Sequence, residues 1–558
     1  MRLLFTSTLT LGYLLLATVY GIAADKPARG TDLQKNTVLE WKQLDGNQIN
    51  CTIASDGPFA DYRPTLGSGL EWPKGSGKSP IWTAGIWLIG RHRVSGQLRT
   101  AVVDYRPEYQ PGPLLEIFNT TTNEDSGPSE RADSSEFRLY KIQIGDTLSA
   151  DYRDWPGHLG APFVDIDGNG VWDKSVDHPR LYGDQQIWCV FNDVNNALHT
   201  PLGATPPIGL EVRVLYYSFD RSGVLGSTMF MRWTVINRSD ADYDSVYLGI
   251  WSDVDLGDAN DDMPGSDSTL CLGYAYNGDN DDGTDHGYGS TPPAVGFTLL
   301  QGPIVPGLPT DSARIGDGWV PGRRNLPATA FVPFLKAMGV NDPFDGSPVY
   351  ARMAYDYLMG KHGDSGEYLR RQDSSIISWW LSGDPVAGTG DVPGNFPLGN
   401  VFPQDFRILL SSGPFTIAQG DTQEVVAALV ISQGSDRLES VTLLKQDVAW
   451  IRNFYESGGV VGVEENQIGV PERVYLHQNY PNPFNPSTTI DFALPHAGFV
   501  TLRVYNIPGE EVATLVAGDH AAGAFKTTWD ASGLPSGVYF YRLTAGEYVQ
   551  TRKMVLMK

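Results

Sequence analysis

Between Tyr475 and Lys558 the chain is cut into short runs in which apolar and polar residues alternate, with turn residues between the runs at regular intervals. Successive side chains of a strand point to opposite faces, so period-two alternation marks a half-buried strand, and a series of such runs closes as a small antiparallel sandwich. Ile490, Phe492 and Leu494 make one apolar face, Val500, Leu502 and Val504 the next, and a turn at Gly509 leads into EVATLV. Gly523 opens a run carrying Phe525, Thr527 and Trp529. SGLPSGVYFYRLTAG then frames a strand whose Tyr539, Tyr541 and Leu543 share a face, and YVQTRKMVLM closes the sheet.

The YPNPFNPSTTI opening, the VYNIPGEEV turn, the SGLPSGVYFYRL strand and the KMVLMK end occur together and in this order. On these motifs residues 474–558 resemble the type A C-terminal sorting domain of the type IX secretion system, whose fold is similar to the Ig-like domain of flagellar hook-capping proteins. The resemblance implies an address: recognition by outer-membrane secretion machinery and export to the cell surface or the extracellular space, often with removal of the domain. It implies no activity for the preceding body, because a fold does not define a function.

The N-terminal MRLLFTSTLTLGYLLLATVYGIAA has a basic Arg2, an apolar stretch and small residues at Gly21, Ala23 and Ala24, which predicts a signal peptide over 1–24. As a membrane anchor it is short and interrupted by Thr6, Ser7, Thr8 and Thr10. The rest divides into a β-rich body over 25–456, a linker over 457–473 and the sorting module. With 65 acidic against 41 basic residues the net charge is −24, which repels phosphate backbones and excludes nucleic acid as a partner. Cys51, Cys189 and Cys271 are widely spaced, with no metal-ligand interval. Buried free thiols are the expectation, with at most one intrachain disulfide as the alternative.

Within the body, LEVRVLYYSFD, STMFMRWTVINRS and DSVYLGIWSDVD read as a three-stranded meander with apolar residues on both faces, which then need cover on both sides. The proline- and glycine-rich residues 290–405 are expected to wrap this core, and FRILLSSGPFTI and TQEVVAALVISQG return as two further strands. One helix is expected, in SDRLESVTLLKQDVAWIRNFYESGG: Val441, Leu444, Val448, Ile451 and Tyr455 recur at helical spacing, Ser435 or Asp436 can cap the start, and Gly458 and Gly459 stop it. The fold class that follows is mainly β: a β-sandwich-like body with long calcium-type loops and one helix, then a C-terminal Ig-like β-sandwich.

The sharpest chemical signal is VDIDGNGVWDKSVD. Asp165, Asp167 and Asn169 stand at alternate positions with Gly170 next, as in the opening of a calcium loop. Val171 can offer a carbonyl and Asp173 an oxygen, but Val176 stands where the closing acid belongs, so that ligand must come from Asp177 or from elsewhere. The loop resembles those of dockerins and thrombospondin-type repeats, and a solvated turn whose Asx side chains cap their own backbone is the alternative. A second acidic region contains Asp253, Asp255, Asp258, Asp261 and Asp262, followed by Asp279, Asp281 and Asp282, with no Lys or Arg between Arg238 and Arg314. Its mutual repulsion calls for a cation, and oxygen ligands select Ca2+, against the alternative of a solvated acidic loop.

Catalytic strings are incomplete. GSGKS lacks the phosphate loop's first glycine, with Trp72 in its place, and HGDSGEY holds Ser365 and His362 in what reads as a turn. The body therefore reads as an exported structural or adhesive surface component stabilised by calcium, with a carbohydrate-binding protein or a secreted hydrolase as the alternatives. Its partners are the secretion machinery and, at the surface, polysaccharide or other surface proteins.

Overall fold

The computed structural model describes residues 39–459 and 474–558, apart from short stretches at 63–66, 106–107, 124–134, 196–197, 200–204, 284–286, 317, 344–347, 477, 480, 495–497, 521–522 and 547. The expected signal peptide and residues 460–473 of the expected linker lie outside the described residues.

Three strands, Leu210–Ser218, Thr228–Asn237 and Thr422–Ser432, lie side by side and antiparallel within a nine-stranded sheet. Nearly every position in them is buried, so both faces must be covered. Met229, Met231, Trp233 and Val235 enter one core, as do Val425, Ala427, Leu429 and Ile431. Phe230, Val426, Ala428 and Val430 enter a second core on the opposite face.

The first core is closed by a five-stranded sheet, in the order Ala330–Phe334, Phe406–Ile417, Tyr243–Val254, Thr83–His92 and Leu98–Val102. The second is closed by the helix Arg437–Glu456, whose Val441, Leu444, Val448, Ile451 and Tyr455 are all buried. Asp436 caps this helix by accepting the N–H groups of Leu438 and Glu439 at 2.9 and 2.8 Å. Glu439 reaches back to accept the Ser435 N–H at 2.7 Å, so three backbone donors at the helix start are satisfied.

The expected meander is corrected in its third strand. Tyr243–Val254 pairs with Phe406–Ile417 and Thr83–His92, not with Thr228–Asn237, and so belongs to the opposite sheet. Asn237 Nδ2 donates to the carbonyls of Ala241 and Ile417 at 2.8 and 3.2 Å, which holds the turning chain against the other layer. Residues 290–405 do more than wrap the core: Ala294–Gln301 is an inner strand of the large sheet, and Pro348–Leu358 forms a helix that the sequence reading missed. The three cysteines are buried and free.

Residues 475–556 form two antiparallel sheets, one of Tyr475–Leu476, Ser487–Leu494 and Gly523–Asp530, the other of Glu511–His520, Gly498–Asn506, Gly537–Ala545 and Tyr548–Leu556. Their facing residues make one core that includes Ile490, Phe492, Val500, Leu502, Tyr541, Leu543 and Met554, which fits the expected Ig-like sandwich. The opening motif has a structural cause. The Tyr541 hydroxyl accepts the N–H of buried Asn479 at 2.8 Å, and Asn479 Nδ2 donates to Thr488 Oγ1 at 2.9 Å, tying the NYPNPF segment across the sandwich.

Leu444→Ala is expected to lower stability by about 2–5 kcal/mol through lost burial and a residual cavity, and Asp436→Ala by about 1 kcal/mol through loss of the cap. Urea-unfolding midpoints of the full chain check both. Equal small effects would show that the helix does not cover the large sheet.

Candidate functional site

The loop 165–177 is curled by its own backbone donors. Asp165 accepts the N–H groups of Gly168, Asn169 and Gly170 at 2.9, 3.2 and 2.7 Å. These hydrogen bonds, the Gly170 N–H foremost, hold its carboxyl below the ordinary range. Gly170 has φ +75°, a left-handed conformation that lets the chain turn back at this point. Asp177 is buried and closes the loop, its two oxygens accepting the N–H groups of Ile166 and Asp173 at 3.0 and 2.8 Å.

One carboxylate oxygen each from Asp165, Asp167 and Asp177 lies within 4.8 Å of the others. Asn169 stands beside this group, its Nδ2 donating to Asp167 Oδ2 at 2.8 Å while its Oδ1 accepts the Val171 N–H at 2.6 Å. Asp173 turns away and accepts the N–H and hydroxyl of Ser175 at 2.8 and 2.7 Å. The convergent set is thus three carboxylates, all hard oxygen donors, which suits calcium rather than zinc or copper.

The second acidic region separates into two groups. Asp253 and Asp255 come together with Asp405, one oxygen from each within 4.8 Å. Arg407 enters the same cluster: Nε lies 3.1 Å from Asp253 Oδ1 and 3.6 Å from Asp342 Oδ2, and Nη1 lies 3.2 Å from Asp405 Oδ1. The Tyr105 hydroxyl donates to Asp253 Oδ2 at 2.9 Å and accepts from Arg407 Nε at 2.7 Å.

Asp258 and Asp261 belong to the neighbouring turn, and Asp262 opens the strand Asp262–Asp267 that follows it. Asp258 Oδ1 accepts the Asn260 N–H at 3.0 Å, and Asp282 accepts the N–H groups of Asp258 and Tyr288, both at 2.8 Å. The structure therefore does not bring all five sequence-selected acids to one point. Asp405, Arg407, Asp342 and Tyr105 were missed, because each is remote in sequence and carries no local motif.

Other strings resolve as turns. In the GSGKS segment, Glu71 accepts the Gly77 N–H at 2.6 Å, so a carboxylate stands where a phosphate would bind. Around Ser365, the His362 N–H donates to Glu367 O at 2.9 Å and the Gly366 N–H to His362 O at 2.8 Å.

Residues 478–557 match the family model described as a secretion system C-terminal sorting domain, that of the type IX system. No curated protein matches the chain. Among solved structures, a polysaccharide lyase aligns over 64% of this chain and 36% of its own, at 8% identity and a TM-score of 0.17. The alignment thus spans little more than a third of that lyase, and a likeness this slight carries no argument about the body. The sorting domain directs export across the outer membrane to the cell surface or the extracellular space.

Burial pushes Asp261 up to about 7, with Asn277 opposing and the charges of Asp282, Asp258 and Asp279 adding to it. Burial likewise pushes Asp342 up to about 7, with Arg407 opposing and Asp253 and Asp405 adding. Both carboxyls hold a proton in the folded chain at pH values where the unfolded chain, at 3.8, has lost it. Their contribution to stability is therefore largest below the unfolded value and is lost as pH rises through about 7. Without divalent cations, the melting temperature is expected to rise between about pH 8 and about pH 5, and Asp342→Asn to flatten part of that slope. A fall over the same range in both proteins would contradict the raised values.

Proposed function

We propose that the chain is an exported structural or adhesive component of the cell surface, whose body binds calcium in the 165–177 loop. The observation that carries the calcium reading is the convergence of Asp165, Asp167 and Asp177 within 4.8 Å. Asp177 supplies the closing acid that Val176 cannot, one residue later than the usual spacing. An ion there would neutralise three carboxylates that otherwise repel one another, and the backbone curl needed for binding is already held by the donors to Asp165.

Packing favours a structural role over sugar binding. Trp87, Trp155, Trp188, Trp233, Trp251 and Trp380 are fully buried, so these aromatic residues fill the sandwich and present no stacking platform. The Ser365 turn likewise serves the local fold, which weighs against the hydrolase alternative that its sequence suggested.

Extracellular calcium sites work with weak affinity, on the order of 10⁻⁴ to 10⁻³ M. Ligand at about ten times the dissociation constant stabilises the folded state by about 1.4 kcal/mol per site. Chelation is expected to lower the melting temperature, calcium to restore it and magnesium to restore less, because magnesium holds its water shell more firmly. Asp165→Ala combined with Asp167→Ala is expected to reduce this response. A melting curve indifferent to chelator, with no ion retained in equilibrium dialysis, would defeat the calcium reading.

Export is tested separately. Removing residues 474–558 is expected to keep the body inside the outer membrane, and fusing them behind a signal peptide and a reporter to carry the reporter out. Fractionation with immunoblotting reads both outcomes. Release of the truncated chain at the full-length level would show that the body carries a route of its own.

A further inference from the structure

Glycine follows asparagine at Asn169–Gly170 and at Asn277–Gly278. Such a pair can rearrange by itself: the glycine nitrogen attacks the asparagine Cγ, and a residue without a Cβ leaves that approach open. The structure separates the two pairs. Asn277 ends the strand Leu272–Asn277 and is wholly buried. Asn169 and Gly170 are exposed in the loop 165–177, and no atom beyond the adjoining residues lies within 4 Å of the place a Gly170 Cβ would take.

In the loop, each group that this reaction changes already has a partner. The nucleophile is the Gly170 nitrogen, whose N–H donates to Asp165 Oδ2 at 2.7 Å. The carbonyl under attack is that of the Asn169 side chain, and its Oδ1 accepts the Val171 N–H at 2.6 Å, a donor aimed at the oxygen on which negative charge develops. The leaving nitrogen, Asn169 Nδ2, donates to Asp167 Oδ2 at 2.8 Å. Asn277 is placed differently. Its Oδ1 accepts the Asp279 N–H at 3.0 Å, but the Gly278 N–H donates to the backbone carbonyl of Asp261 and not to a carboxylate.

We propose that Asn169 is a self-modification site, at which the loop converts its own asparagine into aspartate and isoaspartate. The bond from Gly170 N to Asn169 Cγ forms and the Cγ–Nδ2 bond breaks. The proton of the Gly170 nitrogen departs with Nδ2 as ammonia, and a succinimide ring is left. Water then opens the ring at either carbonyl. One opening restores the ordinary backbone with an aspartate side chain, which adds a carboxylate to those of Asp165, Asp167 and Asp177. The other places the side-chain methylene in the main chain as isoaspartate, which shifts Gly170 relative to Asp165. The reaction uses only groups of this chain and water, so it goes beyond the calcium reading and does not rest on it.

The test follows both asparagines by peptide mapping with mass spectrometry. The full chain is incubated at mildly alkaline pH with chelator, either folded in buffer or unfolded in guanidinium chloride. In the unfolded chain both are expected to be converted at similar rates, since glycine follows each. In the folded chain Asn169 is expected to be converted at least as fast as when unfolded, and Asn277 severalfold more slowly. Val171→Pro, which removes the N–H facing Asn169 Oδ1, is expected to slow conversion severalfold in the folded chain and to leave the unfolded rate unchanged. Slower conversion of Asn169 in the folded chain than in the unfolded one would show that the loop protects it, which overturns the proposal. An unchanged folded rate in Val171→Pro would overturn the role given to that N–H. The comparison of folded with unfolded unaltered chain needs no variant, so it decides the outcome even where Val171→Pro does not fold.

Discussion

Everything in the body follows from one sheet that is apolar on both faces. Leu210–Ser218, Thr228–Asn237 and Thr422–Ser432 carry buried side chains at almost every position, so neither face can be left to water. At about 25 cal/mol per Å² of apolar area, each large side chain left uncovered would forfeit about 1.5–3 kcal/mol, comparable with a sizeable part of a domain's net stability. The five-stranded sheet meets this demand on one side and the helix Arg437–Glu456 on the other. The helix is polar on its far face and apolar on the near one, so its position relative to the sheet is determined by sequence spacing alone.

This explains why some of the fold was legible and some was not. Period-two alternation shows that Tyr243–Val254 is a strand, but it carries no information about which sheet the strand joins. Both layers offer the same apolar environment, and the choice depends on contacts such as Asn237 with Ile417, 180 residues away. The sorting module was read correctly because its strands are consecutive, short and alternating, so local pattern and tertiary arrangement agree. The helix Pro348–Leu358 was missed because it lies within a stretch whose proline and glycine content pointed to loops, whereas its place in the core is set by tertiary packing, through Met353, Ala354, Tyr355, Leu358 and Tyr357, whose ring lies 4.8 Å from that of Phe334.

The acidic residues divide in the same way. Asp165, Asp167 and Asp177 were legible because one turn of chain brings them together, so sequence spacing and spatial convergence coincide. Asp405 was not, since it reaches Asp253 only after the strand Phe406–Ile417 has paired beside Tyr243–Val254. Arg407 is the direct consequence of that pairing: Asp253 and Arg407 are cross-strand partners, a position at which opposite charges stabilise a sheet. A reading from the 253–262 segment alone therefore overestimated how far those acids lack a positive neighbour.

The two acidic sites also differ in what their charge costs. Asp167 in the surface loop is solvated, so its repulsion is screened and an ion binding there would shift stability modestly. Asp253 and Asp262 are wholly buried at a junction between layers, where water does not screen them and the lost solvation must be replaced by hydrogen bonds, protons or a cation. Arg407 and Tyr105 supply this for Asp253, and Leu256 supplies half of it for Asp262. The remaining imbalance sits where Gln404 and Asp262 join the two sheets, so whatever neutralises it acts on the contact between layers and not on a single loop.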